Sequence, residues 1–310
     1  MTMRHWIGTG ISMAGMLAVG MTPAHCADDP LTRPIAPESA KRWLAPQAPT
    51  RLFGGTYLVG FGGLTLALIR TDAGLILIDG AVPQAVGDVE AHIRRLGFSI
   101  RDVKLILSTE PHFDHAGGLA ALARDSGAPV VASAAGAAVL RTGGGDPDDP
   151  QASWLDRFPP VKRLRIARDG EAIRLGRTVV TAHATPGHTT GSMSWSWQEC
   201  EGKACHTIFF ASSLNPLAGD GYAFSDPAHK GQVAAFRATF ATMRAMPCDI
   251  LLTAHPDQSG GDRKVARLRT RRAPNPFYDP SACRRYVDKA EAALDRQMAS
   301  ERAPVEQSKG

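Results

Sequence analysis

"STEPHFDHAGG", Ser108–Gly118, packs Glu110, His112, Asp114 and His115 into six residues directly after the apolar run "KLIL". Side chains alternate in an extended chain, so Glu110 and His112 point to one side while Pro111 keeps the backbone extended. Phe113 faces the other way. Asp114 and His115 follow where the chain turns into the helix start at "AGG", and they face a second point close by. This pattern predicts two metal positions. Each needs further ligands, and His188 in "TPGHTTGS" and His255 in "TAHPDQSG" are the candidates. Zinc suits the donor set, because imidazole and carboxylate ligands bind it in tetrahedral sites that leave one position open. A water shared by two such ions would be ionised near neutral pH.

Every candidate follows an apolar strand. "LILST" leads to Glu110, "VVTAHAT" to His188, "IFFA" to Ser212 and Ser213, and "ILLT" to His255. Upstream, "TYLVGFGGLTLALIRTDAGLILIDGA" reads as three strands, with "TDAG" a tight turn and the last run ending at Asp79. "QAVGDVEAHIRRLG" carries Val86, Val89, Ile93 and Leu96 at helical spacing, with Gly97 as a stop. Downstream come a helix in "AGGLAALARDSG", a strand in "PVVAS", a helix in "AAGAAVLRTG" and the polar loop "GGDPDDPQAS". Two strands around Gly176, the Trp195 and Ile208 strands, the helix "VAAFRATFATMRAM", the strand "CDILLTAH" and a final helix capped by Ser281 complete the chain. Residues 28–50, rich in Pro and Ala, read as an arm over the surface. Two strand-rich layers, each with helices, favour sheets packed face to face with helices outside.

The N-terminus places the protein outside the cytoplasm. Residues 1–27 have a short basic start (Arg4, His5), an apolar run and then small residues, the layout of a secretory signal peptide cleaved after Cys26 or Ala27. His25 before Cys26 departs from a lipid-attachment pattern, so no stable membrane anchor is expected. Residues 28–310 then form a single periplasmic domain, expected to be a monomer. Of five cysteines, four remain, an even number suited to an oxidising compartment. Cys200–Cys205 across a hairpin and Cys248–Cys283 between the last strand and the final helix form one of three possible pairings; two buried free thiols are the other reading. Loss of Arg4 lowers the formal charge from +5 to +4. The basic stretch "DRKVARLRTRR" reads as a solvated face, and no nucleic-acid partner is expected.

"EPHFDHAGG" resembles the HxHxDH motif of the metallo-β-lactamase superfamily, and "TPGHTTGS" and "TAHP" resemble that family's later histidine motifs, in order. The resemblance covers nearly all of residues 28–310 and is strongest to subclass B3. It implies an α/β fold, the αββα sandwich, with two mixed sheets face to face and a cleft for two Zn2+ ions. Glu110, His112 and His188 would hold the first ion, and Asp114, His115 and His255 the second. "FFASSLNP" has serine where glyoxalase II carries a bridging aspartate and other lactamase subclasses a cysteine. Ser213 and Asn215 would then bind the substrate carboxylate, Tyr222 the developing oxyanion, and Asp114 would orient the attacking hydroxide. Both disulfide pairs resemble those of secreted members.

The implied substrates are small-molecule β-lactams (penicillins, cephalosporins and carbapenems), opened without a covalent intermediate; no SxxK motif of the serine enzymes is present. A lactonase or thioester hydrolase of the same fold, or a secreted metal-binding protein without catalysis, are the alternatives. Glu110 departs from the pattern, which has histidine there. Carboxylate oxygen is an ordinary zinc ligand. It adds negative charge at the first ion, and with a reference pKa of about 4.3 against about 6.5 for imidazole it should retain metal at lower pH than histidine would.

Overall fold

The computed structural model describes residues 29–270 and 273–303. The expected signal peptide, residues 1–27, and Arg271 and Arg272 of the basic stretch lie outside the described residues.

The fold follows from strands that bury both faces. In β4 (Gly74–Ile78) the sequence "GLILI" is almost continuously apolar, as in sheets covered on both sides. Leu75 and Leu77 face one core, Ile76 and Ile78 another. The first sheet runs in spatial order β1 (Thr50–Phe53), β2 (Thr56–Leu58), β3 (Ala67–Thr71), β4, β5 (Val103–Leu107), β6 (Val130–Ala132) and β7 (Leu164–Ile166). Its pairs are antiparallel up to β4 and parallel beyond. The second sheet contains β8 (Ala172–Leu175), β9 (Thr178–Ala184), β10 (Met193–Glu201), β11 (Ala204–Ala211) and β12 (Ile250–Thr253), in the order β12-β11-β10-β9-β8. Only β11 and β12 pair in parallel there.

Three apolar cores make this an αββα sandwich. Between the sheets, Ile76, Ile78 and Leu107 meet Trp195, Phe210 and Leu252. Outside the first sheet, Leu77 and Ile106 pack with Val89, Ile93, Leu119 and Leu140 from α2 (Val86–Arg95), α4 (Leu119–Ser126) and α5 (Ala134–Thr142). Outside the second, Phe209 and Leu251 pack with Phe236 and Phe240 of α6 (Lys230–Ala245) and with Tyr286 and Leu294 of α8 (Ala282–Arg302).

The arm at residues 28–50 contains a helix, α1 (Pro37–Trp43), and leads into β1. Pro37 at the first turn, Glu38 near the N-terminus and Lys41 and Arg42 at the C-terminus suit a short helix. The cluster's helix starts earlier than expected: α3 (Phe113–Ala116) already contains Asp114 and His115. Ser281 precedes α8 without capping it through its side chain; its hydroxyl donates to Asp279 instead. The basic stretch forms α7 (Gly261–Thr270), with Arg263, Arg267 and Arg269 exposed. Among the described residues no helix is long and apolar enough to cross a membrane.

Both disulfides are formed. Cys200 and Cys205 are direct partners across the β10–β11 hairpin, and Cys248–Cys283 ties the chain just before β12 to the first turn of α8. The loops they close differ, with sequence separations of 5 and 35. Loop-closure entropy gives about 2 and about 4 kcal/mol, and the hairpin already restricts the shorter loop. Replacing Cys248 and Cys283 by serine should therefore lower the melting temperature by roughly 8 °C or more, and replacing Cys200 and Cys205 by much less. Thermal unfolding of the two double variants checks this; equal losses would contradict it.

Candidate metal centre

The strand ends named above open on one edge of the sandwich, into a cleft of about 710 Å³ lined by Glu110, His112, Asp114, His188 and His255. The turn after β5 is fixed first. Met193 N–H donates to the Thr109 carbonyl (2.7 Å), and Trp195 Nε1–H to that of Ser108 (3.3 Å). From this anchored turn Glu110 and His112 extend, 1% and 4% exposed. Asp114 and His115 come from α3, His188 from the turn after β9, and His255 from the end of β12.

Two groups of three result. Candidate ligand atoms of Glu110, His112 and His188 all lie within 4.8 Å of one another, and so do those of Asp114, His115 and His255. The histidines are oriented from behind. His188 Nδ1–H donates to the Asn215 carbonyl (2.8 Å) and His255 Nδ1–H to the Gly63 carbonyl (3.0 Å). His112 Nε2–H donates to Asp149 (2.9 Å), and His115 Nδ1 faces Asp79 at 3.5 Å. A carbonyl only accepts, so the outward nitrogen carries the hydrogen and the inward one keeps its lone pair. Metal-binding histidines are held in this way.

The interior of the site fits a cation. Glu110 Oε2 accepts from the Ser213 N–H (2.9 Å), while its buried Oε1 has no hydrogen-bond partner. That oxygen lies 3.2 Å from His115 Nε2 and 3.7 Å from His188 Nε2. His115 Nε2 and His255 Nε2 face each other at 3.2 Å. Buried acceptors pointing at one another are reconciled by positive charge between them. Burial opposes charge on Asp114, yet His115 and His255 outweigh it and hold its carboxyl well below the usual range. Burial also opposes protonation of His115, and there Asp114 and Glu110 outweigh it and hold the imidazole well above its ordinary value. Burial holds the His188 imidazole below its ordinary value.

The other expected site residues divide. Asn215 lines the cleft, and its Oδ1 has no hydrogen-bond partner. Ser213 has no exposed surface and stands behind Glu110, which gives it a supporting place and not one in the cleft wall. Tyr222 is also outside the cleft lining: its ring stacks on His229 at 3.8 Å and meets Phe224 edge-on. Burial and the nearby Asp149 push its phenol up to about 12.

Sequence reasoning missed three residues that the fold brings to the site. Asp149 and Gln151 lie in the polar loop after α5, where Asp149 orients His112 and Gln151 Nε2 is 3.3 Å from His188 Nε2. Asp79 accepts from Thr109 N–H (2.7 Å) and Oγ1–H (2.6 Å). An aspartate ending an apolar strand was the only signal, while the other two sat among neighbouring Asp and Pro residues without periodicity. The cleft mixes charged residues such as Arg42 and Asp262 with apolar ones, among them Trp154 and Leu217, about half exposed, and Trp43 of α1 over Phe113 and His255.

Comparison with known proteins agrees with this geometry. The family model for the metallo-beta-lactamase superfamily matches residues 60–202. A solved structure described as the first B3 metallo-β-lactamase with an active site glutamic acid is 53% identical with a TM-score of 0.83, covering 89% of this chain and 100% of that one. The Rm3 metallo-β-lactamase is 44% identical with a TM-score of 0.83, over 86% and 99% of the two chains. A curated relative, acyl-coenzyme A thioesterase MBLAC2 of Gallus gallus, is 34% identical over 126 residues, which is 36% of this chain; the match spans 41% of that relative's length.

Proposed function

The chain belongs to the metallo-β-lactamase superfamily, and from that premise we propose that it is a zinc-dependent β-lactamase of the B3 kind that opens penicillins, cephalosporins and carbapenems. The observation that carries this reading is the pair of buried triads whose imidazoles are all held from behind. Glu110, His112 and His188 would hold one zinc, and Asp114, His115 and His255 the other. When bound, such ions polarise a carbonyl and lower the pKa of water.

The chain's own residues supply the rest. Asp114, at the cleft face of the second triad, accepts a hydrogen bond from the attacking water and aims it at the lactam carbon. As the C–O bond forms, the C–N bond breaks, and the nitrogen leaves with the electron pair and takes up the proton that the water gives up. Asn215 offers its side-chain amide to the substrate carboxylate, and the apolar side chains of Trp43, Trp154 and Leu217 cover the acyl side chain. Tyr222 stacks on His229, outside the residues that line the cleft. Asp149 keeps His112 in place, and the Asn215 carbonyl does the same for His188.

Export belongs to the same proposal, with residues 1–27 removed and residues 28–310 working in the periplasm as one domain. The two disulfides support that compartment.

A second reading, hydrolysis of an acyl thioester, has the partial likeness to the thioesterase in its favour. Purified residues 28–310 with zinc, offered a penicillin, a cephalosporin, a carbapenem and an acyl-coenzyme A, separate the two. β-Lactam opening is the expected result; thioester cleavage without turnover of any β-lactam would reverse the assignment.

A further inference from the structure

On α8, away from both triads in sequence, Tyr286 is 6% exposed and lies at the centre of a hydrogen-bond junction. Its hydroxyl accepts from the Leu214 N–H (3.1 Å) and donates to Gln258 Oε1 (2.6 Å); the Ser212 carbonyl lies 3.4 Å away. Leu214 sits between the two residues that grip the first triad. Ser213 N–H donates to Glu110 Oε2, and the Asn215 carbonyl accepts from His188 Nδ1. Gln258, on the far side of the phenol, lines the cleft.

We infer that Tyr286 is a positioning residue for the first metal site: its hydroxyl locks residues 212–215 in the register that presents Glu110 and His188 together. The inference rests on the reading of that triad as a metal site. A segment that follows a strand end has no ladder partner of its own to set its register, and here the Leu214 N–H is tied to a side chain. Burial raises the phenol far above its ordinary value, so it stays an O–H donor to Gln258. One turn earlier on α8, Cys283 is bonded to Cys248, which holds the helix against the sheet. The second triad is supported elsewhere, by Asp79 behind His115 and by the Gly63 carbonyl behind His255. The phenol reaches the second triad only indirectly, through Gln258, whose N–H donates to the His255 carbonyl (3.2 Å), so Tyr286 bears more directly on the first site than on the second.

That asymmetry gives the test. Zinc-loaded residues 28–310 are titrated with a chromophoric chelator, resolving the two ions, and the melting temperature of the metal-free protein is measured beside it. Tyr286→Phe keeps the ring and removes the hydroxyl. It should weaken one ion by roughly 10–100-fold, the range for loss of an outer-shell partner, and the other by much less. Gln258→Ala, which removes the phenol's acceptor from the cleft lining but keeps the backbone N–H bound to the His255 carbonyl, should weaken the same ion by less.

Equal weakening of both ions, as general loosening of the core would give, overturns the inference, and so does no weakening of either. If Tyr286→Phe fails to fold, Gln258→Ala decides, and an unchanged affinity for both ions overturns it. Wild-type protein that holds fewer than two ions would remove the metal-site reading itself, and the inference with it.

Discussion

Asp79→Ala should lower stability by about 3–5 kcal/mol and leave both metal sites weak, the largest effect expected of any single substitution here. Asp79 has no exposed surface and ends β4 with a φ of 65°, a conformation in which alanine is strained. Its two oxygens accept from Thr109 N–H and Oγ1–H, and Oδ2 also faces His115 Nδ1. Alanine leaves both Thr109 donors buried without partners, at about 1–3 kcal/mol each. Thr109 directly precedes Glu110, so the same change loosens the first triad through the backbone and the second through His115.

Asp79→Asn separates the two consequences. Asparagine tolerates the left-handed conformation and still accepts from the Thr109 N–H. It should recover most of the melting temperature while metal retention stays reduced by roughly 10–100-fold. Thermal unfolding and zinc content after a chelator challenge measure both. Asp79→Ala protein that melts like wild type and keeps its zinc would show that this carboxylate supports neither fold nor site.

Glu110→Ala should be the most damaging change to function at little cost to the fold. It removes one of three donors from the first triad, so the loss of affinity there should exceed the roughly 10–100-fold typical of an outer-shell partner. Turnover should fall by about 10²–10³-fold or more, the scale seen when one stabiliser of developing charge is deleted. The fold loses the hydrogen bond to the Ser213 N–H and the contacts to His115 and His188, while the desolvation of a buried carboxylate is relieved. Metal analysis should then find one firmly held ion. Two ions and unchanged turnover would show that Glu110 is no ligand.

Much of this was legible in the sequence for a physical reason. β4 announces itself as an apolar run, and β5 as one broken only by the exposed Lys104, because most of both faces are buried; the six triad residues stand out because they lie just beyond strand ends. The helix α1 carried its own signals, Pro37, Glu38, Lys41 and Arg42, but a Pro- and Ala-rich composition masked them. Asp149 and Gln151 had no readable pattern, since their roles exist only once the fold brings them to His112 and His188, each 37 positions away. Tyr222 and Ser213 show the converse. A motif fixes strand ends, whereas the direction of a loop side chain depends on packing that periodicity does not encode; here His229 captures the Tyr222 ring and Glu110 occupies the Ser213 backbone.

Zinc titration of metal-free residues 28–310, with opening of a carbapenem followed at each addition, tests the central claim most directly. Uptake of two ions per chain, with turnover that appears on loading and disappears with a chelator, is the predicted result. Uptake of one ion or none, or full loading without opening of any β-lactam, would contradict it.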